Sequence, residues 1–542
     1  MKQTSKPLVL AIIFTSLLFA SSCKKINNTD HKNTGFTEKP LDTTTVNIPA
    51  DNGNIGLTVD VRPIFKKGYI VSRVSVDIDG SLSASSKTMD VDKLTNLAIL
   101  KMKRDSLTDD QVKQFNKGVK LTIKAYDEAG NILANSTETN VVFNDSGDPF
   151  PVETDKPMII PPVKLAAGVP YYIQKSPVVD GEANYVLTQH KTVFQGSSLA
   201  LNPMMDKFGG EGTQSQMFYF ESTGDGSNEY YIKSTQGYYL FYNDNKLYSS
   251  TSLPTNTPNA WKFKFISDGK GGVSIKPVNG NVLRMGTYTV QFPYTIYQTN
   301  GSLLYDNQGT SIKFRIIPAN IEWNVTDLGM VSNDPILPPK KIEFAYSSIL
   351  ENCSGATLHE SIGESKTRST SYAAGSEESF QLTTSNSVTV GVTTTVTASG
   401  SFGGIGASAS VELSAEYNYT QTMSQTQSRQ FTETHGEEVQ VQRQRDLDLL
   451  PYTAVKAYDA IESYDHIKIP FVQRLKVAGK MNDISLSGEE IVYQLMANQF
   501  GGVVVDVQPK YVIISVRGSA TIDNLMKVTT RTDDIPNACS VP

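Results

Sequence analysis

The chain has 542 residues, a formal net charge of −6 and only 5 histidines. Domains usually hold about 100–200 residues, so this length predicts three or four folding units. Surfaces that bind nucleic acid need clustered Lys and Arg, and no stretch gathers more than a few of them, which argues against a nucleic-acid partner. Thr, Ser, Val, Tyr, Gly and Asn dominate the sequence, and this composition predicts a mainly β fold.

The N-terminus has the pattern of an export signal. Two lysines precede an apolar run at 7–20, and two serines then lead to Cys23. A small-small-Cys ending is typical of a bacterial lipobox, so we predict a signal peptide at 1–22 and a lipid on Cys23. A plain secretory signal with an incidental cysteine is the alternative. The run is too short to span a bilayer, and no other is long enough. We therefore expect an exported protein, anchored by lipid to the outer membrane or cell surface or released from it.

Two further cysteines remain, Cys353 and Cys539. An even number of cysteines in an oxidising compartment favours a disulfide bond. This bond would close nearly the whole C-terminal region, a loop that contributes about 4–5 kcal/mol in the chain-entropy model. Two unrelated thiols are the alternative. Neither C-x-x-C nor a His-rich metal pattern occurs, so we expect no metal and no other cofactor.

Three segments follow the signal. Residues 23–43 are polar and lack periodicity, which indicates a flexible tether. Residues 44–148 contain strand-like runs and one helix with a capping pattern at Thr108 and Gln111, which together predict an immunoglobulin-like β-sandwich. No chemical motif accompanies this domain, and a spacer is its expected role. Residues 149–164 are rich in proline and predict a linker.

Residues 165–320 repeat one short pattern three times. Each unit begins with a strand-like run, of which Tyr171–Gln174 and Tyr230–Lys233 are examples. Each unit closes on an alternating apolar pair: Phe218 with Phe220, Phe263 with Phe265, and Phe314 with Ile316. One unit cannot bury these side chains alone, so the three must pack about a pseudo-threefold axis. The pattern resembles a β-trefoil.

The trefoil resemblance implies a lectin-like head with a carbohydrate or glycoconjugate receptor. Tyr242, Tyr248 and Tyr288 are candidates for stacking against a sugar ring. The usual Q-x-W signature of such lectins is missing, although Trp261 lies at a similar place in the second unit. The alternative is that these aromatic residues serve only the core.

The most informative stretch is a two-armed segment at 385–420, in which apolar and hydroxylic residues alternate. Alternation of period two places one row of residues on each face of a strand. The row predicted to face lipid is Val388, Val390, Val392, Val396, Ala398, Ala407, Ala409, Val411, Leu413, Ala415 and Tyr417. The opposite row, predicted to line a pore lumen, includes Thr389, Thr393, Thr395, Ser410, Glu412 and Glu416. Phe402 and Ile405 form the predicted apolar tip.

Two properties suit this hairpin to a membrane, and a third consideration sets the form that insertion must take. Each arm reaches the roughly 9–11 residues that a tilted strand needs to cross the hydrocarbon. No Lys or Arg occurs between Ser385 and Arg429, and such a residue facing lipid would cost roughly 2–4 kcal/mol near the midplane. A lone hairpin would leave unpaired backbone in lipid, so insertion requires a ring of copies. The alternative is an ordinary hairpin of a soluble sandwich.

The segment at 321–542 resembles the aerolysin and ETX/MTX2 superfamily of β-pore-forming proteins. The resemblance is carried by the amphipathic hairpin, its Ser/Thr-rich flanks and a long strand at 430–444. It is also carried by Pro451-Tyr452-Thr453-Ala454-Val455, close to a P-x-T-x-V step, and by a return strand ending at Ile469–Phe471. The resemblance implies an elongated antiparallel β module, a target membrane, a receptor and a homo-oligomeric ring that inserts as a β-barrel.

An enzyme is not expected, because the sequence has no H-E-x-x-H, G-x-S-x-G or Cys-His constellation. The acidic pairs Glu377-Glu378 and Glu489-Glu490 are adjacent, and we predict that both are solvated. The alternative to a pore-forming toxin or effector is a surface-anchored glycan-binding lipoprotein, or adhesin, whose aerolysin-type fold never inserts.

Overall fold

The architecture comes from a computed structural model. It describes residues 35–46, 48, 52–79, 86–143, 149–176, 185–191, 197–204, 211–224, 227–243, 246–256, 258–287, 290–292, 295–297, 302–305, 310–319, 321–333, 335–362, 365–378, 392–393, 396–401, 412–417, 420–421, 432–442, 445–498, 500–523 and 525–536. The described chain is mainly β, as the composition predicts. Among these residues, no helix has the length and apolar character needed to cross a membrane.

The first strand, β1 (Phe36–Pro40), corrects part of the tether prediction. It pairs antiparallel with a strand at Lys341–Asn352, far along the chain, with Phe36 opposite Asn352 and Pro40 opposite Ser348. The next residue, Leu41, is buried. A polar, aperiodic segment gave no local sign of this strand, because the edge that orders it belongs to the C-terminal part of the chain.

A two-sheet sandwich follows. One sheet has the order β5-β2-β8 and the other β4-β3-β6-β7, and one hydrophobic core fills the space between them. The capping box predicted at Thr108 is present, and Gly118 follows the helix at a φ of 108°. The elements are β2 (Asn54–Asp60), α1 (Arg62–Lys66), β3 (Arg73–Asp79), β4 (Lys87–Asp90), β5 (Leu97–Lys103), α2 (Asp109–Lys117), β6 (Val119–Tyr126), β7 (Ile132–Val141) and β8 (Pro149–Pro151).

The proline-rich passage therefore begins inside this unit. Strand β8 pairs parallel with β2, with Phe150 opposite Val59. Proline lacks the amide hydrogen of a ladder, and it is tolerated at the edge position that β8 occupies in its sheet.

The third unit is a ring of six strands with three attached hairpins. The ring runs β9-β12-β13-β16-β17-β23 and closes because β23 pairs with β9, Lys313 opposite Ser176. The hairpins are β10–β11, β14–β15 and β18–β21, so each sequence repeat supplies two ring strands and one hairpin. The elements are β9 (Tyr171–Ser176), β10 (Tyr185–Lys191), β11 (Ser197–Pro203), α3 (Glu211–Gln214), β12 (Met217–Ser222), β13 (Glu229–Ser234), β14 (Tyr239–Asn243), β15 (Lys246–Ser250), β16 (Phe263–Ser267), β17 (Val273–Pro277), β18 (Arg284–Thr287), β19 (Val290–Phe292), β20 (Thr295–Tyr297), β21 (Ser302–Tyr305), β22 (Thr310–Ser311) and β23 (Lys313–Pro318).

The aromatic pairs that mark the repeats fill this ring. Phe218, Phe220, Phe263, Phe314 and Ile316 are buried in one core, and Phe265 packs against it. Phe220 and Phe265 meet edge to face, with ring centroids 5.2 Å apart. This packing is the burial that the threefold repeat predicts.

The C-terminal module consists of long antiparallel strands in two main sheets. One sheet has the order β1-β25-β34-β39, and the other has the path β24-β35-β38-β27-β32. The elements are β24 (Glu322–Ser332), β25 (Lys341–Asn352), β26 (Leu358–Ile362), β27 (Ser365–Ser376), β28 (Val392–Thr393), β29 (Val396–Ser401), β30 (Glu412–Tyr417), β31 (Thr420–Gln421), β32 (Thr432–Gln442), β33 (Arg445–Leu449), β34 (Thr453–Tyr464), β35 (Ile467–Met481), β36 (Ile484–Ser485), α4 (Gly488–Ala497), β37 (Val503–Gln508), β38 (Tyr511–Asp523) and β39 (Leu525–Ile535).

The predicted return strand is wrong at its end. Strand β34 stops at Tyr464, and Ile469–Phe471 lies near the start of the next strand, β35. His466, with a φ of 52°, is in the turn between the two strands. The sequence shows one continuous apolar stretch here, which hides the reversal.

Helix α4 joins the ring unit to the C-terminal module. Ser487 caps it by accepting a hydrogen bond from the Glu490 amide. The Tyr493 hydroxyl accepts from the Ile316 amide at 2.9 Å, and Gln494 Nε2 donates to the Ile316 carbonyl at 2.9 Å. A single hydrophobic core includes the ring, α4 and parts of β35 and β38. The two units are therefore fused by apolar packing.

Candidate membrane-insertion hairpin

The strands that flank the hairpin form a long ladder. Strand β27 pairs antiparallel with β32 from Ser365–Gln442 to Gly375–Thr432. The far end of β27 also pairs with β38, where Ser376 lies opposite Gly518. The predicted long strand at 430–444 is thus observed at Thr432–Gln442.

The hairpin itself is described in two short ladders. Val396 lies opposite Tyr417 and Ser401 opposite Glu412, while Val392 lies opposite Gln421. The paired residue numbers have the same total in both ladders, so both belong to one register. The two arms therefore run as one antiparallel ribbon through these pairs.

This register brings the two predicted apolar rows to the same face. Directly opposed residues of an antiparallel pair lie on one face of the ribbon. Ala398 is opposite Ala415, so the even-numbered row of the first arm meets the odd-numbered row of the second. Thr397 is opposite Glu416, which places the hydroxylic row and the carboxylates on the other face. Had the register slipped by one residue, each face would have been mixed.

The described part of the hairpin includes only some of the predicted site residues. Val392, Val396, Ala398, Leu413, Ala415 and Tyr417 of the lipid-facing row are described, and so are Thr393, Glu412 and Glu416 of the lumen row. Outside the described residues lie Val388, Val390, Ala407, Ala409, Val411, Thr389, Thr395, Ser410, the tip residues Phe402 and Ile405, and the lipidation site Cys23.

The hairpin ladder does not continue the β27–β32 ladder in register. Between the pair Gly375–Thr432 and the pair Val392–Gln421, the first arm runs from position 375 to position 392. Over the same interval the second arm runs only from position 432 to position 421. The first arm is thus longer than a continuous ladder would allow, and it carries a surplus of chain between β27 and the hairpin.

Glu377 and Glu378, directly after β27, are held by a group of charges that we call the base cluster: Asp60, Arg62, Lys66, Glu377, Glu378 and Arg517. Arg62 donates to Glu378 at 2.5 Å and to the Ser515 carbonyl at 3.0 Å. Lys66 Nζ lies 2.9 Å from Glu378, and Arg517 Nε lies 2.8 Å from Glu377. Arg517 also pairs with Asp60. The cluster holds three positive and three negative groups.

Burial and charge oppose each other at Glu378. Burial alone would raise the pKa of its carboxyl, but Arg62 and Lys66 outweigh it, so the pKa is lowered and the group stays ionised. The Arg62 side chain is 1% exposed and that of Glu378 is 6% exposed. Both charges are therefore withdrawn from water and depend on their partners.

The prediction that both acidic pairs are solvated is wrong for one member of each pair. Glu378 is almost fully buried, and Glu490 is buried too, whereas Glu377 and Glu489 keep 28% and 44% of their side chains exposed. Neighbouring residues point in different directions on a strand or a helix. One carboxylate of a pair can therefore face water while the other faces a neighbouring unit, which local sequence does not reveal.

Cys353 follows β25, where its amide donates to the Gly35 carbonyl at 2.7 Å. It is disulfide-bonded. Its predicted partner, Cys539, lies outside the described residues, so the pairing stays a prediction.

Aromatic side chains stack on the second hairpin of the ring unit. Phe241 and Trp261 lie with centroids 4.5 Å apart at 20°, and Phe241 and Tyr248 with centroids 5.6 Å apart at 24°. Tyr248 is 37% exposed. The core aromatics described above meet edge to face, so this partly exposed stack is a separate arrangement. Tyr242 is near it in sequence, and Tyr288 lies outside the described residues.

The described geometry is that of a mainly β protein with a two-armed ribbon between long antiparallel strands. Residues 316–437, which include this ribbon, match the sequence profile of the family described as Clostridium epsilon toxin ETX/Bacillus mosquitocidal toxin MTX2. The resemblance predicted for the C-terminal module is thereby confirmed over these residues. No curated protein matches the chain.

Solved structures offer distant likenesses. Cry35Ab1 is 11% identical, covering 68% of this chain and 90% of its own, with a TM-score of 0.21. The Mpp75Aa1.1 β-pore-forming protein from Brevibacillus laterosporus is 14% identical, covering 46% and 87%, with a TM-score of 0.24. Lamprey immune protein is 13% identical, covering 69% and 98%, with a TM-score of 0.18. TM-scores this low do not define the fold.

Proposed function

We propose that this protein is an exported β-pore-forming toxin or effector. It binds a target surface, assembles into a homo-oligomeric ring and inserts the hairpin to form a transmembrane β-barrel. The lumen row, with Glu412 and Glu416, gives the pore a preference for cations. In this proposal Cys23 carries the lipid that anchors the chain to the outer membrane or cell surface before release.

The observation that carries this proposal is the register of the hairpin. Insertion requires that both arms offer their apolar rows to lipid on the same side, and Val396–Tyr417 and Ala398–Ala415 meet that requirement. The match of residues 316–437 to the ETX/MTX2 profile supports the same function from sequence. The length of the two arms and the absence of Lys and Arg between Ser385 and Arg429 also agree with membrane insertion.

Neighbouring positions on opposite faces give a matched test. The mature chain, purified without lipid, is added to dye-loaded phosphatidylcholine–phosphatidylglycerol vesicles. We expect Val396→Arg to abolish leakage, because a cation in the lipid-facing row costs roughly 2–4 kcal/mol per copy near the midplane. Thr397→Arg should leave leakage in place and reduce cation selectivity. Equal leakage by the two variants would contradict the assignment of faces, and a wild type that never leaks would contradict the function.

We propose that the ring unit is a β-trefoil that serves as the receptor-binding head. The closed six-strand ring, the three hairpins and the threefold repeat support this interpretation. The stack of Phe241, Tyr248 and Trp261 is the candidate contact for a sugar ring.

The same stack supports the second candidate function, a surface-anchored glycan-binding lipoprotein that does not insert. A glycan array on the wild type and Tyr248→Ala, read together with vesicle leakage, separates the two functions. Tyr231→Ala is the control, because Tyr231 is a half-buried tyrosine of β13 and is not one of the three stacked residues. Glycan binding without vesicle leakage would favour the adhesin. Unchanged glycan binding by the Tyr248→Ala variant would show that the stack is not the sugar contact.

A further inference from the structure

The three repeats of the ring unit are alike in their core and differ on their outer face. The same place in each repeat holds a leucine that is 1% exposed in the shared core, namely Leu187, Leu240 or Leu283. The positions on either side of this leucine hold Val186 and Thr188 in the first repeat, Tyr239 and Phe241 in the second, and Val282 and Arg284 in the third. The fold therefore needs the leucine and does not need the aromatic pair of the second repeat.

The outer face of the second repeat is also more open than that of the first. Val186 is fully buried in a small apolar cluster. The equivalent Tyr239 and its neighbour Phe241 are only half-buried, and Tyr248, directly opposite Phe241, is 37% exposed. Aromatic side chains that the core does not enclose are typical of a surface that contacts a ligand.

Three polar side chains, which we call the polar triad, lie on this face: Glu221, Lys233 and Tyr239. The Tyr239 hydroxyl donates to Glu221 Oε2 at 3.1 Å. Lys233 Nζ lies 3.6 Å from Glu221 Oε1 and 4.8 Å from the centre of the Tyr239 ring. The side chains of Glu221 and Lys233 remain 42% and 32% exposed, so both charged groups are accessible to a ligand.

The polar triad adjoins the aromatic stack. Tyr239 and Phe241 are two positions apart on β14, so their side chains leave the strand on the same side, about 7 Å apart along it. An aromatic surface beside a carboxylate, an ammonium group and a hydroxyl suits a sugar, whose ring packs on aromatic faces while its hydroxyls bond to charged groups. Within the triad the one cation is already countered by Glu221, so an acidic sugar would gain no unpaired counter-charge from it.

We propose that the outer face of the second repeat is a carbohydrate site for a neutral hexopyranose. The stack contacts the ring of the sugar, Glu221 accepts hydrogen bonds from two neighbouring hydroxyls, and Lys233 donates to one of their oxygens. The equivalent described positions of the other two repeats lack the aromatic pair, so one chain holds one site of this kind and becomes multivalent only when copies assemble. This inference deepens the proposed receptor-binding role of the ring unit and rests on it.

Titration calorimetry tests the inference on the mature chain, purified without lipid. The probes are methyl hexopyranosides of gluco, galacto and manno configuration and their uronic acid counterparts. We expect Glu221→Gln and Lys233→Met each to weaken binding of the preferred neutral sugar at least about tenfold, because each removes a hydrogen bond to a charged group. Tyr239→Phe, which loses only the hydroxyl that orients Glu221, should cause a smaller loss.

Lys276→Met is the matched control, because Lys276 takes the place of Lys233 in the third repeat, and it should bind as the wild type does. Circular dichroism establishes that each variant is folded, and Tyr239→Phe serves if the others are not. Unchanged binding by the triad variants, an equal loss in Lys276→Met, or tighter binding of the uronic acids overturns the inference and leaves the stack as a sugar contact. If the wild type binds none of these sugars, the inference and the proposed sugar contact both fail, and vesicle leakage still decides the pore-forming function.

Discussion

The Tyr171 hydroxyl donates a hydrogen bond to Glu490, so the first strand of the ring is bonded to the helix of the C-terminal module. The Ala166 amide donates to the same carboxyl at 2.9 Å. Burial raises the pKa of Glu490 to about 8. The two hydrogen bonds lower this pKa, but by less than burial raises it. The junction thus contains an acid that is mostly protonated at neutral pH.

The raised pKa of Glu490 predicts a junction that weakens as the pH rises from 4.5 to about 8. The folded-state pKa lies above the ordinary value of 4.5, so the stabilisation is complete below that value and is lost as the pH rises to about 8. Glu490→Gln has no proton to lose, and its side-chain oxygen can accept from the Ala166 amide while its side-chain amide donates to the Tyr171 hydroxyl oxygen. We expect its melting temperature, relative to wild type, to rise between pH 5 and pH 8, by the equivalent of about 1.4 kcal/mol per pKa unit at most. Parallel pH profiles for the two proteins would contradict this assignment.

The register of the hairpin is open to a direct chemical test. Ala398 and Ala415 are directly opposite, whereas Ala398 and Ser414 are not. We expect the double variant Ala398→Cys/Ala415→Cys to cross-link on mild oxidation and Ala398→Cys/Ser414→Cys to do so at least about tenfold more slowly, since directly opposed residues are the closest. The cross-linked hairpin should still permeabilise vesicles, because both arms enter together. Leakage that stops on cross-linking and returns on reduction would mean that the arms separate during insertion.

The order of β1 is the third testable point. A Cβ at Gly35 would lie 2.8 Å from the Ser354 amide nitrogen, which is backbone and cannot yield easily. Gly35→Val should therefore loosen β1, and we expect amide exchange at Phe36–Pro40 to be slow in the wild type and markedly faster in the variant. Gly355→Val is a suitable control, because a Cβ there meets only the Tyr452 hydroxyl at 3.6 Å. Fast exchange at these residues in the wild type would show that they belong to the flexible tether and not to an ordered strand.

The disulfide pairing gives a fourth prediction. Digestion without reduction should release one peptide pair linked through Cys353 and Cys539. Replacing either cysteine by serine should lower the stability of the C-terminal module by the same amount, up to about 4–5 kcal/mol in the chain-entropy model for a loop of this length. Free Cys539 in the non-reduced protein would exclude the pairing.

The sequence predicts those parts of the fold in which local pattern decides the structure. Capping residues mark α2 and α4, and the apolar pairs at Phe218–Phe220 and Phe263–Phe265 lie in the ring core as expected. The alternation in the hairpin predicts two rows, which the register places on common faces. In each case the signal lies within a few residues of the structure that it specifies.

The remaining features depend on partners far apart in the chain. Arg62 and Glu378 are 316 residues apart, and nothing near either of them shows that they meet in a buried pair. Strand β1 and the turn at His466 escaped prediction for similar reasons, one because its edge partner is distant and the other because apolar strands continue on both sides. Pairing between distant segments determines the structure at these positions, and the local sequence does not indicate which segments will pair.

The pairing of β1 with β25 also limits how far the folded protein can extend from a lipid anchor at Cys23. With Cys23 lipidated as proposed, only the segment 24–35 separates the anchor from a strand that is fixed to the C-terminal module. Fully stretched, this segment spans about 40 Å. With so short a tether, the protein can act only on the membrane that carries it or on a membrane in direct contact with that one. To act on a more distant cell, it must first be released by cleavage before Phe36.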